Sequence, residues 1–309
     1  MTATADLVIV GAGPAGASAA LGALSADPSL NVLLLDRSEF PRDKSCGDGI
    51  APHVIDLLES VGVHGLLDDW TPVQRLQISR ADRTVEGQME RATWVVPRTV
   101  LDARLVEAAQ KAGAVLTQQR IRSVEQSVDR VQLDAGPPAR LVVGADGAYS
   151  VVRRAVGARE APMAVAIRGY APTPPGRAGA QVIRFGTARQ PSYAWSFDRG
   201  DGLVNVGYGE LFGDSRPRPT RALLLEQLED LLPGSTEGGK DWRGHQLPLS
   251  TWRPLRPAYG RVLLAGDAAG LVNPMTGEGI YHAVLTGLLA GQAAAASLAE
   301  DGGATAGSR

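Results

Sequence analysis

Residues 7–36, LVIVGAGPAGASAALGALSADPSLNVLLLD, decide the fold. Leu7 to Val10 form a short apolar run that stops at Gly11, the pattern of a parallel strand buried on both faces. A helix is expected from about Pro14 to Leu24, and Asn31 to Asp36 repeat the apolar run, so the segment reads as a right-handed βαβ unit. At the junction, Gly11, Gly13 and Gly16 permit a tight turn and let backbone N–H groups approach a phosphate at the positive end of the helix that Pro14 and Ala15 open. Asp36 ends the second strand about twenty residues after Gly16, the spacing at which a carboxylate reaches ribose hydroxyls. A glycine turn alone says little, but strand, turn, helix, strand and acid in this order predict dinucleotide binding.

Outward from this unit, Thr99 to Ala112 place Leu101, Leu105, Ala108 and Ala112 on one helical face, with Thr99 and Asp102 spaced like a capping box and Gly113 as a stop. Ala114–Thr117, Ile121–Gln126, Arg130–Asp134 and Ala139–Val143 then read as a small antiparallel meander, turning at Gly136-Pro137-Pro138. From Ala164 to Gly209 the pattern alternates, and Tyr193, Trp195 and Phe197 should project from one face of a strand. Arg261 to Leu264 return to a buried-strand pattern, followed by an Ala-rich helix from about Gly279 to Leu298. The expected fold class is α/β, a Rossmann-type nucleotide-binding domain with an inserted antiparallel β-sheet substrate domain. The first comprises 1–75, 93–160 and 258–309, and the second 76–92 and 161–257. The Gly/Ala/Ser tail after Asp301 is expected to be disordered.

Composition narrows the partners. With 44% hydrophobic residues, 21% charged residues and a net charge of −2, the 309-residue chain lacks the basic excess of a nucleic-acid binder. Cys46 is the single cysteine, and His53, His64, His245 and His282 show no zinc spacing, which predicts a reduced, metal-free, cytoplasmic protein. His53 and His245 have no identifiable partner and read as structural or surface residues. No signal peptide is expected, and the longest apolar stretch, Ala283 to Ala299, is broken by Thr286 and Gln292, so no spanning helix is expected either. Peripheral contact with a lipid surface stays open, as does the oligomeric state.

Two later turns, Gly144-Ala145-Asp146-Gly147 and Ala265-Gly266-Asp267-Ala268-Ala269, share their order with the p-hydroxybenzoate hydroxylase-like flavoproteins, a resemblance that implies FAD. The loop from Phe40 to Gly49 (FPRDKSCGDG), Pro191 to Gly207 (PSYAWSFDRGDGLVNVG) and Gly266 to Ile280 (GDAAGLVNPMTGEGI) make the chain similar to the geranylgeranyl reductase family, whose members include reductases of isoprenoid lipids and of the menaquinone side chain. The resemblance implies FAD contacts at Ala15, Asp36, Gly47, Gly49, Arg98, Ile121, Asp267, Gly279 and Ile280. The glycine motifs and their flanks add Gly11, Gly13, Pro14, Gly16, Arg37, Cys46, Asp146, Gly266, Pro274 and Gly277. Arg98 is expected to pair with the cofactor's phosphates or the flavin edge. Asp198 stands where the family has proline, which puts the local turn in question, and relatives continue beyond the Ala-rich helix, so a shorter or more open substrate cavity is expected.

Reducing an alkene requires a hydride from the flavin and a proton for the other carbon. Cys46 is the first candidate donor and Tyr193 the second, with Trp195 beside them on the aromatic strand. The expected activity is an FAD-dependent reductase or dehydrogenase of a hydrophobic small molecule. A flavin monooxygenase that hydroxylates or epoxidises is the alternative, and a non-catalytic flavin-binding protein a second. None of the five tryptophans falls in the Trp-x-Trp-x-Ile-Pro motif of flavin halogenases. The electron donor, NAD(P)H or a reduced protein partner, is unresolved by the sequence.

Overall fold

The computed structural model describes residues 4–213, 218–251 and 258–300. In chain order these form β1 (Ala5–Val10), α1 (Pro14–Ala26), β2 (Val32–Asp36), β3 (Gly49–Ile50), α2 (Pro52–Glu59), β4 (Val73–Arg80), β5 (Arg83–Val95) and α3 (Arg98–Lys111). There follow β6 (Val115–Gln118), β7 (Val124–Gln126), β8 (Val131–Leu133), β9 (Ala139–Gly144), α4 (Val151–Ala155), β10 (Met163–Pro172), β11 (Ala180–Phe185), β12 (Ser192–Asp198) and β13 (Leu203–Leu211). The last are α5 (Arg221–Leu231), β14 (Lys240–Pro248), β15 (Ala258–Tyr259), β16 (Val262–Leu264) and α6 (Ile280–Ala299). The tail after Asp301 lies outside the described residues.

The first sheet has the order β15-β16-β9-β1-β2-β6, with β7 and β8 attached at β9. Its centre is parallel: β1 pairs with β2 on one side and β9 on the other, in the register Leu7↔Val32 and Leu7↔Leu141. This is the Rossmann-type layer the opening segment predicted. The expected four-strand meander is corrected. β6 pairs in parallel with β2, and β9 lies between β1 and β16, so among these four strands antiparallel pairing is confined to β7–β8 and one β8–β9 contact, Val131↔Ala139. Four short apolar runs separated by turns cannot reveal which of them lies between distant strands. Leu141, Val142 and Val143 are fully buried because β9 is central, not part of a surface hairpin.

One face of this sheet is covered by α1 and α6, whose backbones approach closely where side chains are missing. A Cβ on Gly22 would lie 2.4 Å from the Leu288 carbonyl oxygen, on Gly287 2.3 Å from that of Ala15, and on Gly291 2.0 Å from that of Ala19. By length and composition α6 could cross a bilayer, yet Gly287, Leu288, Gly291, Ala294 and Ala295 on it are buried, as in a core helix.

The second sheet also has eight strands, β14-β10-β13-β12-β11-β4-β5-β3, antiparallel except for β11 beside β4. α5 packs on it through Leu224 and Leu228, in the cluster that holds Val204, Val206 and Tyr208. Asp198 does not disturb β12: its carboxylate accepts from the Thr173 hydroxyl (2.9 Å) and the Gly179 N–H (2.7 Å). The short β3 hangs the Cys46 loop on this sheet through Gly49↔Val95 and Ile50↔Trp94.

The helix interlock is testable with Gly291→Ala. On an exposed helix this change would stabilise by about 1 kcal/mol. Here the added methyl meets backbone, and overpacking of about 1–3 kcal/mol or more is expected to win, lowering the melting temperature of the variant. Thermal unfolding by circular dichroism measures it; an unchanged or raised melting temperature would show that α6 can move away from α1.

Candidate active site between the two sheets

The glycine turn is shaped for a group that needs open backbone. Gly11 has φ +100°, and a Cβ there would lie 2.4 Å from the Ala145 carbonyl oxygen; one on Gly16 would lie 1.7 Å from that of Gly11. Gly13, the N-cap of α1, faces only two guanidinium groups: a Cβ on it would lie 3.4 Å from Arg42 Nη2 and 3.8 Å from Arg98 Nη2. Pro14 and Ala15 follow at the helix start, and the first turn carries no acidic residue. This cradle fits a pyrophosphate, with helix dipole and side-chain charge favouring an anion. The Asp36 carboxylate accepts from the Ala12 N–H (2.8 Å) and the Ser38 N–H (2.9 Å), which fixes it at the end of β2. Arg37 beside it is exposed, whereas the Ile121 side chain is buried in the core with Val10 and Leu35.

Arg98 has a partner within the protein. It is 4% exposed, and its Nε and Nη2 donate to the two carboxylate oxygens of Asp102 at 2.5 and 2.8 Å, while Arg42 Nη1 lies 3.0 Å from Asp102 Oδ2. The expected capping box is overturned by the same contacts. α3 begins at Arg98 with Pro97 as its N-cap and no side-chain cap, because Asp102 is turned toward the two arginines. Two cations sharing one carboxylate leave a net positive charge beside Gly13. Asp102 was singled out only as a helix-capping residue, and Arg42 not at all; an arginine in a proline-flanked loop gives no signal of where the loop folds.

The two later turns divide their roles. The Asp146 carboxylate accepts from the Ser150 hydroxyl (2.5 Å) and the Val151 N–H (2.6 Å), so it is occupied with the start of α4. Gly266, φ +58°, lies close to Ala15, whose methyl is 2.9 Å from where its Cβ would be. Asp267 forms an ion pair with Lys44 at 3.2 Å. Burial raises the Asp267 carboxyl, but Lys44, His245 and Arg98 together outweigh it and hold the group below its ordinary value. Gly279, the N-cap of α6, points at Asp267: a Cβ there would lie 3.7 Å from Oδ1, with Ile280 buried behind it. Pro274 is exposed, and a Cβ on Gly277 (φ +67°) would strike the Tyr193 hydroxyl at 2.4 Å. Both histidines that lacked a partner in the sequence have one: His53 meets Tyr281 edge-on at 6.3 Å, and His245 meets Tyr149 at 5.6 Å. Burial lowers the His245 imidazole to about 4.

Tyr193, Trp195 and Phe197 form a ladder on one face of β12, with ring centroids 5.9 and 6.4 Å apart. Trp195 is buried, its indole lying over Gly207, where a Cβ would be 2.2 Å from the ring. Tyr193 and Phe197 are half-buried, and the Tyr193 hydroxyl donates to the Thr276 carbonyl at 2.7 Å. The ladder meets the Cys46 loop: a Cβ on Gly47 would lie 3.5 Å from Phe197 and 3.6 Å from Trp195 Nε1, and one on Gly49 3.8 Å from Phe197. Burial pushes the Cys46 thiol up, partly offset by Arg98, so it keeps its proton; burial pushes the Tyr193 phenol up to about 12.

Asp48, between Gly47 and Gly49, was also missed. It is fully buried at φ +59°, and its Oδ2 accepts from the Tyr170 hydroxyl (2.5 Å) and Asn205 Nδ2 (2.8 Å). Burial pushes its carboxyl up to about 6 against the pull of Tyr170, Arg168, Asn205 and Arg98. A raised carboxyl means that the folded state binds the proton more tightly than the unfolded chain. Its stabilising contribution is complete below about pH 4 and is lost as pH rises through about 6, a change of ~3 kcal/mol. Asp48→Asn, which keeps an acceptor and tolerates positive φ, is expected to gain melting temperature relative to the parent as pH goes from 5 to 7.5. A difference independent of pH in thermal unfolding would contradict this.

A family model described as an FAD binding domain matches residues 4–181. The chain is similar to the menaquinone reductase of Mycolicibacterium smegmatis, at 36% identity over 99% of this chain and 78% of that protein. It is 32% identical to digeranylgeranylglycerophospholipid reductase 1 of Methanopyrus kandleri, with 96% and 82% covered. The crystal structure of a geranylgeranyl bacteriochlorophyll reductase-like protein from Thermoplasma acidophilum superposes with a TM-score of 0.81 at 21% identity, covering 97% of this chain and 80% of the other, which speaks for the fold. Since the FAD binding domain takes up more than half of its length and nearly all of it aligns with these reductases, the chain belongs to the geranylgeranyl reductase family of FAD-dependent oxidoreductases.

Proposed function

We propose that this enzyme reduces a carbon–carbon double bond in a hydrophobic, isoprenoid-type molecule such as the side chain of a quinone or lipid. The observation that carries the reading is the meeting of the loop bearing a half-buried, protonated thiol, Cys46, with an aromatic ladder where the two sheets join. The names of the relatives, a menaquinone reductase and a digeranylgeranylglycerophospholipid reductase, support substrates of this class.

In this reading residues 1–75, 93–160 and 258–309 hold the cofactor, while 76–92 and 161–257 face the substrate. Gly11, Gly13, Pro14, Ala15 and Gly16 would bind the FAD pyrophosphate with Arg42 and Arg98 behind it, Asp36 a ribose, and Asp267 the ribityl or ribose part. Gly277, Gly279 and Ile280 would lie along the flavin edge, where the helix dipole of α6 favours negative charge. Bound and reduced, FAD supplies the hydride. Cys46 would hold the proton for the other carbon, since burial keeps the thiol protonated at neutral pH. Tyr193 is the weaker donor, its hydroxyl already committed to the Thr276 carbonyl. Phe197 and Tyr193 offer apolar surface to the chain of the substrate, and Trp195 supports them from within the sheet. In this proposal the protein works in the cytoplasm and takes electrons from NAD(P)H or a reduced protein, and peripheral contact with a lipid surface is compatible with it.

Anaerobic reduction of the FAD-loaded protein, followed by rapid mixing with menaquinone or geranylgeranyl substrates, tests the proposal. Alkene-dependent reoxidation with a saturated product is expected; oxygenated product formed only with O₂ would establish a monooxygenase instead. Cys46→Ser is expected to keep its full complement of FAD and to slow alkene-dependent reoxidation by about 10²–10⁴-fold, the usual contribution of a positioned acid. Wild-type reoxidation by the variant would take the thiol out of the mechanism.

A further inference from the structure

The Cys46-Gly47-Asp48 turn is held from the second sheet by a connected set of hydrogen bonds. Trp195 Nε1 donates to Asn205 Oδ1 at 2.8 Å, and Asn205 Nδ2 donates both to the Cys46 carbonyl oxygen (2.9 Å) and to Asp48 Oδ2 (2.8 Å). The Tyr170 hydroxyl donates to the same Oδ2. One residue further, the Val96 N–H donates to the Asp48 carbonyl at 2.9 Å. Asp48 adopts φ +59°, a conformation that costs a non-glycine residue about 1 kcal/mol or more. A buried side chain between two glycines, where a third glycine would be unstrained, is retained there with both of its hydrogen-bonding partners on distant strands.

We propose that Asp48 is the positioning residue for the Cys46 thiol: gripped by Asn205 and Tyr170, it holds the turn in the left-handed conformation and, through Asn205, couples Cys46 to Trp195. The same asparagine touches the indole, the Cys46 carbonyl and the Asp48 carboxyl, so the aromatic ladder and the thiol share one frame. The groups that face Asp48 are Tyr170 and Arg168 on β10, Asn205 on β13, Arg98 on α3 and Cys46 on its own loop. Asp48 Oδ1 is buried without a protein partner. The carboxyl is therefore held through one oxygen, and an amide, which offers one acceptor oxygen, reproduces that grip. This inference rests on the proposed role of Cys46, and it deepens that role by naming what orients the thiol.

The test is the alkylation rate of Cys46 by iodoacetamide in the FAD-loaded protein, measured for the parent, Asp48→Ala and Asp48→Asn. Alanine should release the turn and speed alkylation roughly tenfold, through greater exposure and thiolate access. It should lower kcat by about 10–100-fold while KM changes much less, as expected when a reacting group is misplaced. Asparagine should restore both the slow alkylation and most of the lost kcat. Flavin absorbance per chain reports that each variant is loaded. Should the alanine variant fail to fold, Tyr170→Phe removes one of the two gripping bonds and should give an intermediate increase in alkylation.

A folded alanine variant alkylated at the parental rate would overturn the proposal, as would an asparagine variant as impaired as alanine, which would mean that the charge matters and the grip does not. If the alanine variant does not fold, parental alkylation of Tyr170→Phe overturns it. Alkylation needs no substrate, so it decides the matter even if the parent proves inactive toward alkenes. In that event the functional reading fails and the positioning inference is judged separately.

Discussion

Three backbone approaches in the first sheet depend on the absence of a Cβ: Gly16 on the Gly11 carbonyl, Gly11 on the Ala145 carbonyl, and Gly287 of α6 on the Ala15 carbonyl. Together they press the start of α1 between the ends of β1 and β9 on one side and α6 on the other. The anion cradle at Gly13 exists because the surrounding backbone is clamped this closely. Even alanine at Gly11 or Gly16 would open the turn, since the carbonyl oxygens they meet, of Ala145 and Gly11, follow directly on β9 and β1 in residues whose N–H groups are hydrogen-bonded to Val10 and Leu35. The site's precision is inherited from this close backbone packing together with the hydrogen bonds at the strand ends, such as Gly11 N–H to the Leu35 carbonyl and Ala12 N–H to Asp36.

Charge is arranged in small clusters around this clamp. Arg42 and Arg98 share Asp102, Lys44 sits on Asp267, and Arg168 and Arg243 share Asp43. Where two cations share one carboxylate, an anion can be attracted without leaving buried arginines unpaired. Each acid lies within reach of the first sheet or the loop that follows it, and most of the cations that meet them arrive from the Phe40–Asp48 loop or the second sheet. That loop joins the two halves of the molecule through two residues of strand and a few side-chain bonds, beside contacts such as the Tyr193 hydroxyl to the Thr276 carbonyl.

How much of this could be read along the chain depended on distance in sequence. The βαβ unit, the Asp36 position and the aromatic alternation of β12 were legible because strand periodicity and turn chemistry act between near neighbours. The meander was misread because strand pairing is not a local property, and the capping box because Asp102 had a stronger partner in Arg98, one turn away on the same helix and therefore desolvated with it. Asp48 stood in plain view within the cysteine loop, yet its partners lie 122 and 157 residues away, on β10 and β13. An asparagine in the apolar strand Leu203–Leu211 was a signal that went unused, since a buried amide demands partners.

By itself, then, the sequence determined the Rossmann-type architecture, the order of the three glycine turns and the face of the aromatic ladder, because each is set by the conformational freedom of glycine or by the two-residue period of a strand. Only the tertiary structure decided which charges pair, that Trp195 sits within the sheet bonded to Asn205, and that Asn205 bonds both the Cys46 carbonyl and the Asp48 carboxylate. Those outcomes follow from the register of β12 on β13, which sets Phe197 opposite Asn205 and Trp195 opposite Gly207. They follow as well from the seating of the Cys46 loop against the second sheet, which depends on the packing of the whole chain and on no short stretch of it.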